Sequence, residues 1–180
     1  ELLIKTNRSG MSSHELLNTV TEKANSVKSR LRMYSSIDTY KKNYIISDTM
    51  QREHLLALFK RADCFVMASH GESWCIPAAE CMALGTPCIV TSNTGMTEFV
   101  NDDNGWVVDS LETHVSTKEA PLPYLYTAYE TWRQVDTMKL RKAMRQAFED
   151  SSLLAKKSEN CIEQIKKYSN STSYGQSLQA

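Results

Sequence analysis

Apolar positions along the chain fall into short runs and periodic stretches that take turns. Leu2 to Thr6 is an apolar run followed by Asn-Arg-Ser-Gly, the pattern of a buried strand entering a loop. Ser12 and Glu15 stand at capping-box spacing. Beyond them Leu17, Val20, Ala24, Val27 and Leu31 recur at steps of three and four, one face of a long amphipathic helix. Tyr44 to Ser47 reads as a second strand, and Met50 to Arg61 as a helix with Leu55, Leu58 and Phe59 turned inward. Cys64 to Ala68 is apolar throughout, as expected of a strand covered on both faces. Pro77 to Leu84 is a short Ala-containing helix closed by Gly85, Cys88 to Thr91 a fourth strand, Met96 to Val100 a helical turn, and Trp106 to Val108 a fifth strand.

This alternation predicts an α/β fold, a Rossmann-like parallel sheet with helices on both faces. Asp109 to Pro123 is polar and reads as irregular. Beyond it the pattern predicts closing C-terminal helices over Tyr124 to Gln134, Thr137 to Asp150 and Leu153 to Tyr168. Residues 1–168 form the expected domain, and the Ser-, Asn-, Thr- and Gln-rich residues 169–180 a polar flexible tail.

Composition narrows the function classes. The chain has 21 basic and 21 acidic residues, so charge gives no reason to expect nucleic acid or an anionic membrane as partner. Its apolar runs are too short for a transmembrane segment. It opens on Glu-Leu-Leu-Ile-Lys, with neither Met nor a signal pattern, as if starting inside a larger protein. Five cysteines, at 64, 75, 81, 88 and 161, show no two-residue spacing; Cys64, Cys81 and Cys88 sit in apolar surroundings. Reduced thiols and a cytoplasmic setting are expected. The four histidines pair with no Cys or carboxylate at ligand spacing, so no metal is expected.

In an open parallel sheet, ligands bind beyond the carboxyl ends of the strands. Two loops therefore carry the candidate chemistry. Ser69 to Ile76 (SHGESWCI) follows the third strand and delivers Pro77 to the first position of a helix. The amides of Ala78 and Ala79 are expected to be free there, at a positive helix end suited to a phosphate. Glu72 and Glu80 flank that position, as a sugar nucleotide requires: a diphosphate for the amides and hydroxyl pairs for the carboxylates. Ser92 to Thr97 (SNTGMT) follows the fourth strand, and Gly95 is expected to let its backbone approach the phosphate closely, or to serve a turn.

The stretch Ala62 to Val108 resembles the nucleotide-binding domain of the retaining glycosyltransferases of the family 4 type, the glycosyl transferases group 1, which adopt the GT-B fold. The resemblance rests on Glu72 and Glu80 at the family's Glu-x7-Glu spacing. Pro77, Met82-Ala83, Gly85, Pro87, Gly95, Glu98 and Asn104-Gly105 follow in the family's order. Such domains form the C-terminal half of a GT-B enzyme. The resemblance implies that Glu72 is the catalytic, sugar-side carboxylate and that Glu80 holds the ribose diol. It also implies that the backbone of Ser73, Trp74, Cys75 and Ile76, with that of Gly95 and Met96, contacts sugar hydroxyls and the diphosphate, and that Ile46 and Ser47 lie near the base. The reaction implied is transfer of a sugar from a nucleotide-diphosphate sugar to an acceptor hydroxyl, with retention and no cofactor or obligatory metal.

The sequence departs from the family pattern where Ser73 and Cys75 replace glycines around the aromatic residue, and where Thr94 replaces the first glycine of its pair. The family's opening strand and its Arg and Lys-Gly phosphate loop have no counterpart, although Lys5 stands at the mouth of a strand. An acceptor-binding N-terminal half, in cis or in trans, is therefore an expected partner. The chain alone is expected to be inactive, and any peripheral membrane attachment would come through that half. Each candidate has a plainer role: Glu80 complementing the helix dipole, Glu72 a solvated loop residue, Trp74 a core aromatic, His70 a loop residue, and Lys156-Lys157 and Lys166-Lys167 a solvated face. The alternatives in function are a non-catalytic nucleotide-sugar-binding or assembly module, and another GT-B enzyme such as a sugar-nucleotide epimerase.

Overall fold

The structure, a computed structural model, describes residues 1–115, 123–127 and 129–169, Ser169 by its backbone alone. It divides into two compact units, Glu1–Arg52 and Glu53–Ala180, each described by itself.

In the first unit, β1 (Leu2–Lys5) pairs in parallel with β2 (Asn43–Ile46) through the helix α1 (Ser13–Leu31), with Leu2 opposite Asn43 and Lys5 opposite Ile46. Ser12 and Glu15 make both halves of the capping box: the Ser12 hydroxyl accepts from the Glu15 amide and the Glu15 carboxylate accepts from the Ser12 amide. The inner face of α1 is shorter than its periodicity predicts. Leu16 is its buried residue and Leu17, Val20 and Ala24 are half-buried, while Val27 and Leu31 are exposed.

The second unit begins within α2 (Arg52–Arg61) and continues through β3 (Phe65–Met67), α3 (Ile76–Ala83), β4 (Cys88–Thr91) and β5 (Gly105–Val108). The three strands form a parallel sheet in the order β3-β4-β5. All of β4 is buried, and its side chains alternate between two cores. Cys88 and Val90 join Cys81, Met82, Phe99 and Cys161, on the side of α3 and the last helix, α5 (Ser151–Ser169). Ile89 joins Trp106, Val108, Ala143 and Ala147, on the side of α4 (Thr137–Glu149). Helices thus cover both faces of the parallel sheet, and the chain closes on helices. The five expected strands are shared between a two-stranded and a three-stranded parallel sheet.

One region differs from expectation. Ser110–His114, expected to be irregular, and Thr131–Val135, expected to lie largely in a helix over Tyr124 to Gln134, are strands instead, while the two later helices form as expected. Ser110–His114 (β6) pairs antiparallel with Thr131–Val135 (β7), and a 3-10 turn occupies Pro123–Leu125. Thr131, Trp132 and Val135 are β-branched or aromatic, and β6 supplies their partners. Glu112 lies opposite Arg133 and forms an ion pair with it at 3.3 Å. The expected tail from residue 170 lies outside the described residues.

Packing and geometry require glycine at 85 and 105. Gly85 (φ 82°) closes α3: its amide donates to the Met82 carbonyl and that of Thr86 to the Cys81 carbonyl, the paired bonds of a Schellman ending. At Gly105 a Cβ would meet the Cys88 carbonyl oxygen at 2.5 Å. Beside it, buried Asn104 stitches the turn, donating to the Phe99 carbonyl and accepting from the Asn101 amide. Lys157, expected on a solvated face, is buried instead. Its ammonium donates to the carbonyls of Asp102 and Gly105 and lies 4.8 Å from the centre of the Trp106 ring. Burial holds its pKa below the usual lysine range, against the opposing pull of Asp102 and Asp103. All five cysteines are free.

Candidate functional site

The loop after β3 and the loop after β4 meet at the carboxyl end of the three-stranded sheet. Their junction is a backbone contact. The Gly95 amide donates to the Glu72 carbonyl at 2.8 Å, and a Cβ on Gly95 would stand 1.6 Å from the Ser73 carbonyl oxygen. Gly95 has no positive φ, so its need for glycine comes from this close approach and not from a turn. The backbone it approaches is that of Glu72 and Ser73.

The start of α3 is built around Cys75, which sits in the left-handed region (φ 62°, ψ 75°) where glycine would be unstrained. This conformation directs the Cys75 carbonyl along the new helix, where it accepts from the amides of both Ala78 and Ala79, at 3.0 and 3.2 Å. Those two amides, expected to be free, are therefore engaged. The unengaged donors lie one step earlier. The amides of Ser73, Trp74, Cys75 and Ile76 find no acceptor among the described residues, and neither does that of Met96. Four consecutive open N–H groups lead into the positive end of a helix, between Glu72 and Glu80. Both of these carboxylates are half-buried, and no hydrogen bond or ion pair engages the Glu72 side chain among the described residues.

Packing holds this arrangement from below. Trp74 lies 4.8 Å from Phe99 and 5.4 Å from Tyr168, ring centre to ring centre, and the Tyr168 hydroxyl donates to the Glu98 carbonyl. Met96 is wholly buried in the same core, and the Cys75 side chain is buried with it. Burial pushes the Cys75 thiol up in pKa, and the nearby Glu72 adds to the shift, while the Ala78 amide opposes it. It is a protonated, packed thiol.

Two buried hydroxyls near the ends of β3 and β4, Ser69 Oγ and Thr91 Oγ1, have no hydrogen-bond partner among the described residues. Sequence reasoning missed them, since nothing in a lone Ser or Thr signals an unsatisfied hydroxyl. It read His70 as a loop residue and had no signal for its partner, Trp132, on which the ring stacks. Ile46 and Ser47, the expected base-side residues, belong to the first unit. Ile46 ends β2, where its carbonyl accepts the Thr6 amide at 3.0 Å, and Ser47 is buried. Among the described residues no helix is long and apolar enough to cross a membrane.

Comparisons with known proteins agree with this architecture. Three solved structures are similar to the chain. The C-terminal domain of a glycosyl transferase group 1 family protein from Francisella tularensis is 19% identical, with a TM-score of 0.58 over 86% of this chain and 64% of that one. A sucrose-phosphate synthase from Thermosynechococcus elongatus is 16% identical, with a TM-score of 0.64 over 99% of this chain and 37% of that one. A UDP-forming trehalose-phosphate synthase from Burkholderia xenovorans is 13% identical, with a TM-score of 0.59 over 92% of this chain and 32% of that one. At these identities the likeness establishes the fold, that of a GT-B C-terminal domain, and the chain spans between 32% and 64% of those chains. No curated protein sequence matches significantly. The family model of the glycosyl transferases group 1 matches residues 28–119, just over half of the chain, and takes in both loops of the candidate site; the chain belongs to that family.

Proposed function

We propose that the chain is the donor-binding part of a glycosyltransferase that takes a nucleotide-diphosphate sugar and transfers its sugar, with retention, to an acceptor hydroxyl. The observation that carries this reading is the run of four open amides, Ser73 to Ile76, entering α3 between Glu72 and Glu80. A diphosphate is satisfied by such donors at a positive helix end. As the sugar departs, negative charge grows on the diphosphate, and N–H groups already aimed there stabilise it without reorganising. Glu72 then accepts from sugar hydroxyls and Glu80 from the ribose diol, with Met96 adding an amide from the second loop. Gly95 contributes differently: its amide holds the Glu72 carbonyl, so it fixes the loop instead of touching the ligand. Ile46 and Ser47 remain the proposed base-side residues. The acceptor side belongs to a partner half, in cis or in trans, and the donor chemistry proposed here requires no metal or cofactor.

Calorimetric titration of the chain with UDP, GDP and ADP tests this reading, with Glu80→Ala as the control. Saturable binding of one nucleotide, weakened by the substitution at least about tenfold for a lost charged hydrogen bond, supports the proposal. Absence of binding by all three to the folded chain refutes donor binding by this chain.

A further inference from the structure

The loop that carries Glu72 is gripped from a second side, by the antiparallel hairpin. The His70 carbonyl accepts from the Arg133 amide at 2.8 Å, and His70 Nδ1 lies 2.8 Å from the Arg133 carbonyl. A carbonyl only accepts, so Nδ1 bears the proton and the two residues exchange a reciprocal pair of hydrogen bonds. The imidazole also lies flat on Trp132, ring centres 4.0 Å apart and planes 8° from parallel. His70 thus extends the edge of β7 by a strand-like pairing and adds a stacked ring. Two residues later the Glu72 carbonyl of the same loop accepts from the Gly95 amide. The segment His70–Glu72 is therefore pinned at both ends, and the Glu72 side chain, which has no partner among the described residues, leaves the chain at the second pin.

We propose that His70 is a positioning residue: held by Trp132 and Arg133, it makes the β6–β7 hairpin a clamp that sets the place of Glu72 and of the open amides after it. The proposal rests on the donor-binding reading for its functional consequence, and on the two pins alone for its structural one. A clamp of this kind makes donor affinity depend on strands, β6 and β7, that carry none of the proposed donor-binding residues.

The test uses the 180-residue chain with His70→Ala, His70→Asn and Trp132→Ala. Asn places an amide N–H near the position of Nδ1–H and so keeps the bond to Arg133 while removing the stacked ring. The structural readout is hydrogen exchange at the Gly95 amide, which reports on the Glu72 loop and does not touch His70. His70→Ala is expected to speed that exchange at least about fivefold, the equilibrium equivalent of one hydrogen bond, with the amides of β4 unchanged and His70→Asn restoring much of the protection. An unchanged Gly95 rate overturns the clamp; so does equal acceleration at β4, which reports general destabilisation only. The functional readout is the dissociation constant of whichever of UDP, GDP and ADP the parent chain binds. A rise of about fivefold or more in His70→Ala and Trp132→Ala, smaller in His70→Asn, supports positioning, and an unaltered constant refutes it. If the parent chain binds none of the three, the donor-binding reading fails, and Gly95 exchange still decides the clamp.

Discussion

Replacing Gly95 by alanine places the sharpest demand on the arrangement of the two loops. The added Cβ would stand 1.6 Å from the Ser73 carbonyl oxygen, 2.5 Å from its carbonyl carbon and 3.2 Å from the Glu72 oxygen. The obstacle is backbone, so no rotamer change relieves it. Restoring a 3.0 Å separation requires the strands of backbone to part by about 1.4 Å. That movement stretches the Gly95–Glu72 hydrogen bond beyond use, a loss of about 1 kcal/mol. Overpacking of a tight contact adds about 1–3 kcal/mol. The expected loss of stability is therefore roughly 2–4 kcal/mol, read as a lowered urea midpoint at unchanged m-value. For the proposed transferase, joined to its proposed acceptor half, a shift above 1 Å at Glu72 also predicts a fall in turnover on the order of a hundredfold. Gly71→Ala is the control. Gly71 lies one residue before Glu72, has no positive φ and has nothing within 4 Å of its notional Cβ, so its variant should stay within about 0.5 kcal/mol of the parent. A Gly95→Ala midpoint indistinguishable from that of Gly71→Ala would refute the reasoning.

Three further outcomes are expected. Cys75→Gly should be more stable than Cys75→Ala by about 1–2 kcal/mol, because both remove the buried thiol but only glycine occupies φ 62° without strain; equal unfolding midpoints would exclude strain at this position. Asn104→Ala should lose about 1–3 kcal/mol, because it leaves the buried Phe99 carbonyl unsatisfied and removes the partner of the partly buried Asn101 amide, and a loss under about 0.5 kcal/mol in chemical denaturation would contradict it. Stability should fall with alkalinity. Burial pushes the Cys64 and Cys161 thiols from 9.0 up to about 12 and raises those of Cys81 and Cys88. Above pH 9 the unfolded chain releases these protons while the folded chain keeps them, so the contribution is complete below pH 9 and is lost on approaching pH 12, by about 1.4 kcal/mol per pH unit for each buried thiol. Denaturation curves of Cys161→Ala should show a slope shallower by one proton; an identical slope would remove Cys161 from this account.

Much of the fold and the positions of the candidate carboxylates are set by local rules that a linear chain displays. Ser12 and Glu15 cap a helix from two positions with two residues between them, Gly85 ends α3 because only a residue tolerant of positive φ fits there, and an unbroken apolar run such as Cys88–Val90 requires cover on both faces. The glutamates at 72 and 80 belong to this class, since a loop leading to Pro77 places one before the helix and the other within its first turns.

Other features depend on what a residue meets from elsewhere in the chain, and these are the ones that patterning missed. Thr131–Val135 is strand and not helix because Ser110–His114 offers it a hydrogen-bonding edge. Lys157 is buried because the carbonyls of Asp102 and Gly105 converge on its ammonium. Gly95 is required by the Ser73 carbonyl more than twenty positions earlier in the sequence. The choice of which amides stay open, Ser73 to Ile76 and not Ala78 and Ala79, follows from the left-handed backbone of a single cysteine. Periodicity reports which side of an element faces inward, whereas the partners of a backbone group are fixed only when distant segments come together, and that is why the site's donors and its clamp were decided by the tertiary structure.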